Sequence, residues 1–151
     1  MAKNELSILL VDDDIDDSVL FEETLKSINT NIHFQSAPDG LVALELLGKT
    51  DNLPDVIFLD LNMPRLDGIE CLKLLKADSK LKAIPVIMFT TSSHSKDIEE
   101  TMMSGALGFV TKPTGLGELQ IILSAIIKSM PHNMLDALRM LGEGNHSFIV
   151  C

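Results

Sequence analysis

Short apolar runs alternate with segments of helical periodicity along most of the chain. Five runs are nearly continuous in apolar or β-branched residues, which is typical of strands buried on both faces. These runs are residues 6–11, 32–37, 56–59, 85–89 and 107–110. Because a helix-like segment follows each run, the pattern predicts five βα units. Such units form a parallel sheet between two layers of helices, joined by right-handed crossovers.

The helix-like segments place apolar residues three or four positions apart. In the first segment, Ile15 and Val19 follow this spacing, and so do Phe21, Leu25 and Ile28. The spacing predicts one amphipathic helix. The other segments are the stretch containing Leu41, Leu44 and Leu47, then "GIECLKLLKAD", "SKDIEETMMSG" and "ELQIILSAIIKSM". Each predicts a further helix between or after the strands.

The pattern changes after Met130. The segment "PHNMLDALRMLGEGNHSFIVC" predicts a short helix with Met134, Leu138 and Leu141 on one face and Gly142 at its end, followed by an apolar terminus. We therefore expect one domain over residues 7–130 and a C-terminal extension over residues 131–151, made of a short helix and a tail. A helix packed on the domain is favoured over a dedicated interaction tail.

Composition and charge narrow the choice of partners. A chain of 151 residues with 46% hydrophobic content suits one domain with a proper core. The formal net charge of -10 disfavours binding to nucleic acid or to anionic membranes, because both require a positive field. A cytoplasmic location is favoured by three features. The two cysteines have no metal-binding spacing, and the sequence shows neither a signal-peptide pattern nor a long apolar stretch.

Aspartates stand where two of the predicted strands end. Asp12 and Asp13 follow "LSILLV", and Asp60 follows "VIFL". In an open parallel sheet with strand order 2-1-3-4-5, these ends meet in the crevice where ligands bind. Carboxylates gathered there are stabilised by a hard cation, and Mg²⁺ is usually held by one or two carboxylates and water. The remaining acids of "DDDIDD", which are Asp14, Asp16 and Asp17, are explained as an N-cap and first helical turn.

Two later strand ends supply groups that suit phosphoryl chemistry. Thr90 ends "PVIMFT" and can donate a hydroxyl hydrogen bond, and Lys112 follows "GFVT" and carries a mobile positive charge. Both could stabilise the charged oxygens of a phosphoryl group during transfer. Asp60, between the metal site and the lysine, is the candidate acceptor, as a carboxylate nucleophile.

These residues and their spacing resemble the receiver domains of two-component response regulators. The motifs "ILLVDD", "VIFLDLNMPRLDG", "IPVIMFTTSS" and "GALGFVTKP" occur in the order and spacing of that family. The likeness runs from about Ser7 to Met130 and extends to the bacterial chemotaxis regulator. The stretch "LKADSKLKAIPVIMFTTSS" is especially similar to single-domain receivers that partner phytochrome-like and other sensor kinases. The resemblance implies a flavodoxin-like (βα)5 three-layer sandwich with sheet order 2-1-3-4-5.

The resemblance also implies a set of metal ligands. Asp60 would be phosphorylated by the phosphohistidine of a partner kinase. Asp13 and Asp60 would bind Mg²⁺ together with the backbone carbonyl of Asn62, and Asp12 would bind it through water.

The remaining implied roles concern the switch between two states. Lys112 would bind a phosphoryl oxygen, and Thr90 would move towards it and draw the ring of Phe109 inwards. This movement would remodel the face formed by the fourth helix, fifth strand and fifth helix. The bond between Lys112 and Pro113 matches one that is cis in the family.

The predicted function is therefore that of a phosphoprotein in a two-component phosphorelay, not of a conventional enzyme. Its partners would be a sensor histidine kinase or phosphotransfer protein and a downstream protein target, reached through protein contact; dimerisation is left open. One alternative is a phosphatase of the haloacid dehalogenase type, although its signature requires a second acid where this chain has Asn62. Another is a receiver-like scaffold that works without phosphorylation.

Overall fold

The computed structural model describes residues 5–29, 31–92, 94–143 and 149–150. The strands are β1 (Leu6–Val11), β2 (Ile32–Ala37), β3 (Val56–Leu59), β4 (Val86–Thr90), β5 (Gly108–Thr111) and β6 (Ile149–Val150). The helices are α1 (Ile15–Ile28), α2 (Gly40–Lys49), α3 (Gly68–Ala77), α4 (Ser95–Met103), α5 (Leu116–Ser129) and α6 (Met134–Glu143). All five predicted strands are present, each within one residue of its predicted bounds.

One sheet contains all of these strands in the order β2-β1-β3-β4-β5-β6. The first five are parallel, which confirms the predicted order 2-1-3-4-5. The short strand β6 lies beyond β5 and is antiparallel to it, with Phe109 opposite Val150 and Val110 opposite Ile149. The carboxyl ends of the five parallel strands therefore share one edge of the sheet.

Helices cover both faces of the sheet, as the continuous apolar runs predict. The apolar cluster on one face joins the strands to α1, α5 and α6, and that on the other face joins them to α2 and α3, with side chains of α4 packed against it. Every residue of β3 and β4 is buried. A strand covered on both sides has no solvent face, and so shows no polar alternation.

The predicted apolar face of α1 is only partly correct. Phe21 and Leu25 are buried against the sheet, whereas Ile15 and Val19 are 77% and 49% exposed. At about 100° per residue, Ile15 and Val19 are centred about 120° around the helix from Phe21 and Leu25. Only one stripe of a helix can face the sheet, and the longer run Phe21–Leu25–Ile28 occupies it.

The C-terminal helix packs on the domain. Met134, Leu138 and Leu141 are buried in the cluster that contains α5, as predicted. The prediction that Gly142 ends the helix is wrong, because the helix continues to Glu143. The packing of Leu138 and Leu141 sustains the last turn despite the weak helix propensity of glycine. The predicted tail includes residues 144–148 and 151, which lie outside the described residues, and β6, which was not predicted.

The peptide bond before Pro113 differs from the one that the family resemblance implies. The cis peptide bond of the described chain is Met130–Pro131, and the bond before Pro113 is trans, so the implied cis bond at Lys112 is wrong. Trans is the isomer that an X-Pro bond adopts unless the local structure imposes the other.

Within the part of the chain that the structure describes, no helix is long and apolar enough to cross a bilayer.

Candidate functional site

The three predicted carboxylates meet at the carboxyl edge of the sheet. Asp12 and Asp13 directly follow β1, and Asp60 directly follows β3, the neighbouring strand. One carboxylate oxygen from each lies within 4.8 Å of the others. Asp12 and Asp60 are only 3% and 6% exposed, whereas Asp13 faces solvent. The site is therefore an acidic cleft in which two carboxylates are buried and the third is open to solvent.

Backbone hydrogen bonds fix the two buried aspartates by extending the sheet one residue past the strands. The N–H of Asp12 donates to the carbonyl of Ala37 at 3.0 Å, and the N–H of Asp60 donates to the carbonyl of Val11 at 3.0 Å. The carboxylate of Asp12 also accepts from the N–H of Asp14 at 3.0 Å. These bonds hold both carboxylates where the strands end and α1 begins.

Lys112 spans the acidic cleft from the end of β5. Its Nζ lies 2.7 Å from Asp12 Oδ2, 2.8 Å from Asp17 Oδ2 and 3.4 Å from Asp60 Oδ2. The ammonium also lies 5.9 Å from the centre of the Phe89 ring. Burial alone would lower the pKa of Lys112, but the surrounding carboxylates raise it above its ordinary value. The lysine therefore stays charged at any physiological pH.

The electrostatics of Asp12 suit a bound cation. Burial raises the pKa of Asp12 to about 6, against the opposing hydrogen bond from Lys112. One ammonium is shared among several carboxylates, so the cleft carries excess negative charge with oxygen ligands only. Such a donor set fits a hard divalent cation, which prefers oxygen atoms and keeps part of its water shell. Asn62 lies beside the cluster, since its N–H donates to Asp60 Oδ1 at 3.4 Å.

Thr90 and Phe109 lie on β4 and β5, the next two strands beyond β3, whose end carries Asp60. Thr90 ends β4, is fully buried, and its Oγ1 accepts a hydrogen bond from the N–H of Ser92 at 3.4 Å. Phe109 is opposite Met88 in the register of β4 and β5 and is also fully buried. Its ring thus lies inside the core.

Asp17 is the site residue that sequence reasoning missed. The acidic first turn of α1 was explained by capping, and Asp14 does cap the helix, accepting from the N–H of Asp17 at 3.0 Å. The side chain of Asp17 nevertheless reaches Lys112, 95 residues away in the sequence. No local pattern distinguishes Asp17 from Asp16. Asp17 differs only in that the tertiary fold brings Lys112 within reach of its side chain.

A second missed pair links the loops beside the site. Arg65, in the loop after Asp60, has a positive φ of 67° and its guanidinium pairs with the carboxylate of Asp39. Asp39 also caps α2 by accepting from the N–H of Val42 at 3.0 Å. The bond to Arg65 and the cap lower the pKa of Asp39. This pair ties the loop after β3 to the start of α2.

Comparison with known proteins assigns the family. Residues 8–124 match the model of the response regulator receiver domain. The chain is 34% identical to chemotaxis protein CheY-3 of Vibrio cholerae over 130 residues, which are 86% of this chain and 98% of that protein. It is 37% identical to response regulator Rcp1 of Synechocystis sp. over 117 residues, which are 74% of this chain and 80% of that protein.

Solved structures agree with this match. The phosphorylated cyanobacterial phytochrome response regulator RcpA is 32% identical, with a TM-score of 0.77 over 83% of this chain and 93% of that one. The Mn²⁺-bound form of Rcp1 is 33% identical, with a TM-score of 0.73 over the same shares. The chain belongs to the receiver domain family of two-component response regulators. The family match leaves the haloacid dehalogenase alternative without support.

Proposed function

We propose that this protein accepts a phosphoryl group on Asp60 from the phosphohistidine of a sensor kinase or of a phosphotransfer protein. The position of Asp60 carries the proposal: its carboxylate lies within 4.8 Å of those of Asp12 and Asp13 and 3.4 Å from Lys112 Nζ. A carboxylate flanked by cation-binding oxygens and by an ammonium is equipped to act as a nucleophile towards phosphorus. Receiver domains in general accept phosphoryl groups from histidine kinases, and this supports the assignment.

The transfer replaces one bond to phosphorus with another. An oxygen of the Asp60 carboxylate attacks phosphorus, the P–N bond of the phosphohistidine breaks, and the imidazole leaves with the electron pair and takes up a proton. Lys112 neutralises part of the charge on the phosphoryl oxygens. In the hydrolysis that follows, water attacks phosphorus, the bond to Asp60 breaks, and phosphate and a proton are released. The protein thus assists both its own phosphorylation and its own dephosphorylation.

The cofactor we propose is Mg²⁺. Asp13 and Asp60 would hold it with the backbone carbonyl of Asn62, and Asp12 would hold it through water, consistent with the clustered oxygens of these aspartates. When bound, it would offset the repulsion among the carboxylates and the incoming phosphoryl group. The Mn²⁺-bound structure of Rcp1, a relative, supports a divalent cation here.

The switch that we propose starts from a buried aromatic ring. The hydroxyl of Thr90 would donate a hydrogen bond to a phosphoryl oxygen, which would move the end of β4. Phe109 is buried in the core, and we propose that phosphorylation stabilises the packing in which its ring is held inwards. A phosphoryl group would then shift an existing equilibrium between two packings.

The surface that would transmit this change is the face formed by α4, β5 and α5. It exposes large apolar side chains, among them Met103 at 81% and Ile121 at 50%. Exposed methionine suits a protein partner because its side chain adapts to different surfaces. We propose a downstream protein as the target, with a second copy of the chain as an alternative. The net charge of -10 argues against nucleic acid and membranes, and we propose a cytoplasmic location.

The test is intact-mass measurement after incubation with acetyl phosphate, with and without Mg²⁺. We expect the wild type to gain one phosphoryl group only with Mg²⁺, and Asp60→Asn to gain none. Asp51→Asn, a substitution of an exposed aspartate in the loop after α2, should behave as the wild type. No addition to the wild type would overturn the proposal. Donor turnover would then favour a phosphatase, and its absence a scaffold that works without phosphorylation.

A further inference from the structure

Asp17 forms one of the two shortest contacts of the lysine at the site. Its Oδ2 lies 2.8 Å from Lys112 Nζ, which is closer than the 3.4 Å between that nitrogen and Asp60. The contact joins the first turn of α1 to the end of β5, across a small cavity lined by Phe21, Phe89 and residues of the loop before α5. Lys112 is thus held towards α1 as well as towards the acceptor.

The donors of Lys112 are fully used before any phosphoryl group arrives. An ammonium has three N–H donors, and Lys112 directs them at the carboxylates of Asp12, Asp17 and Asp60. A phosphoryl oxygen on Asp60 therefore needs a donor that is already in use. The donor of the 3.4 Å contact can pass from Asp60 to a phosphoryl oxygen, but a normal hydrogen bond requires the ammonium to move closer to Asp60, and so away from Asp12 or Asp17.

Burial decides which contact breaks at the lowest cost. The side chain of Asp12 is 0% exposed, so the loss of its ammonium would leave a buried carboxylate without its charge partner. The side chain of Asp17 is 40% exposed, and water can replace the ammonium there. The contact between Asp17 and Lys112 is therefore the one that yields.

We propose that Asp17 is a positioning residue that competes with phosphorylated Asp60 for the ammonium of Lys112. The inference rests on the proposed function. Asp17 stabilises the unphosphorylated form, and it releases the lysine when the phosphoryl group is transferred. Since the lysine serves the phosphoryl oxygens both in the transition state and in the product, removing Asp17 speeds the gain of the phosphoryl group and leaves its hydrolysis little changed.

The test compares four proteins by their rates with acetyl phosphate and Mg²⁺. In this reaction a carboxylate oxygen of Asp60 bonds to phosphorus, and acetate leaves with the electron pair of the broken P–O bond. We expect Asp17→Asn to raise the rate constant for phosphorylation about two- to fivefold, the range that one partly exposed ion pair supplies. The rate constant for loss of the phosphoryl group should stay near that of the wild type.

Two variants separate the contact from the charge. Asp16 lies in the same turn of α1, so Asp16→Asn removes the same charge near the same helix end without removing the contact to Lys112. Asp17→Glu keeps a carboxylate within reach of the ammonium. Both should stay near the wild-type rate.

The outcomes distinguish this inference from the proposed function. If Asp17→Asn is no faster than Asp16→Asn, or if Asp17→Glu is as fast as Asp17→Asn, the competition by Asp17 is overturned while phosphorylation of Asp60 stands. Faster hydrolysis in Asp17→Asn would also overturn it, because it would indicate a generally loosened site. A wild type that gains no phosphoryl group overturns both.

Discussion

Gly68 allows the start of α3 to lie against the backbone that carries Asp60. A Cβ at this position would be 2.2 Å from the carbonyl oxygen of Asp60 and 2.7 Å from the Cα of Leu61. The N–H of Gly68 donates to the carbonyl of Leu61 at 2.8 Å, which requires this close approach. The residue type is therefore set by the path of the chain around the acceptor, and not by a left-handed backbone conformation.

We expect Gly68→Ala and Gly48→Ala to have opposite effects on stability. The methyl group at position 68 would meet backbone atoms that cannot move aside, and overpacking of this kind costs about 1–3 kcal/mol. A Cβ at position 48, within α2, would meet nothing within 4 Å, and alanine there should stabilise the helix by about 0.5–1 kcal/mol. Urea unfolding of both variants measures the difference. Equal effects would show that the backbone at Asp60 can adjust.

The site residues differ in how far the sequence alone could predict them. Asp12, Asp13 and Asp60 follow apolar runs directly, and the ends of parallel strands converge, so their cluster could be predicted. The contact between Lys112 and Asp17 could not be predicted, because it depends on where the tertiary fold places the first turn of α1 relative to the end of β5. A short acidic run at a helix start has the same appearance whether its members cap the helix or hold a distant lysine.

At the scale of the elements, burial on two faces made the strands predictable. β1, β2 and β3 coincide with their predicted runs, while β4 and β5 are each shifted by one residue towards the C-terminus and end at Thr90 and Thr111. The β-branched threonine continues the extended backbone after the apolar run has ended. The pair of residues in β6 was missed because two residues show no periodicity, and their pairing with β5 depends on the position of that strand.

The helix α6 provides a test of whether the C-terminal extension belongs to the folded core. Leu138 is 0% exposed and packs in the cluster with α5, whereas Met140 on the same helix is 73% exposed. Leu138→Ala should lower the free energy of unfolding by about 2–5 kcal/mol through the lost burial and the cavity that it leaves. Met140→Ala should change it by no more than about 0.5 kcal/mol. Chemical denaturation measures both values.

The result for α6 decides the place of the proposed domain boundary at residue 130. A large loss of stability in Leu138→Ala within a single unfolding transition would show that the receiver core and α6 unfold together. If both variants unfold like the wild type, α6 does not contribute to the stability of the core, and residues 7–130 form an independent unit.

At the scale of the whole molecule, folding gathers negative charge at one place, and the repulsion among the carboxylates there opposes folding. The chain has 22 acidic against 12 basic residues, and the fold gathers Asp12, Asp13 and Asp60 within 4.8 Å. Burial raises the pKa of Asp12 to about 6. Near neutral pH the folded chain therefore contains a buried carboxylate that a proton or a cation would stabilise. A ligand that binds only the folded form should therefore stabilise it measurably.

We expect Mg²⁺ to raise the melting temperature of the protein. At a concentration ten times its dissociation constant, a ligand specific to the folded state adds about 1.4 kcal/mol, which for a domain of this size corresponds to roughly 3–6 °C. Thermal unfolding with MgCl₂, compared with NaCl of equal ionic strength, separates binding from charge screening. The shift should be strongly reduced in Asp13→Asn and retained in Asp136→Asn, which removes an exposed carboxylate on α6. A shift that NaCl reproduces, or that survives in Asp13→Asn, would show that the carboxylates do not hold the ion and that repulsion in the cleft is relieved by Lys112 alone.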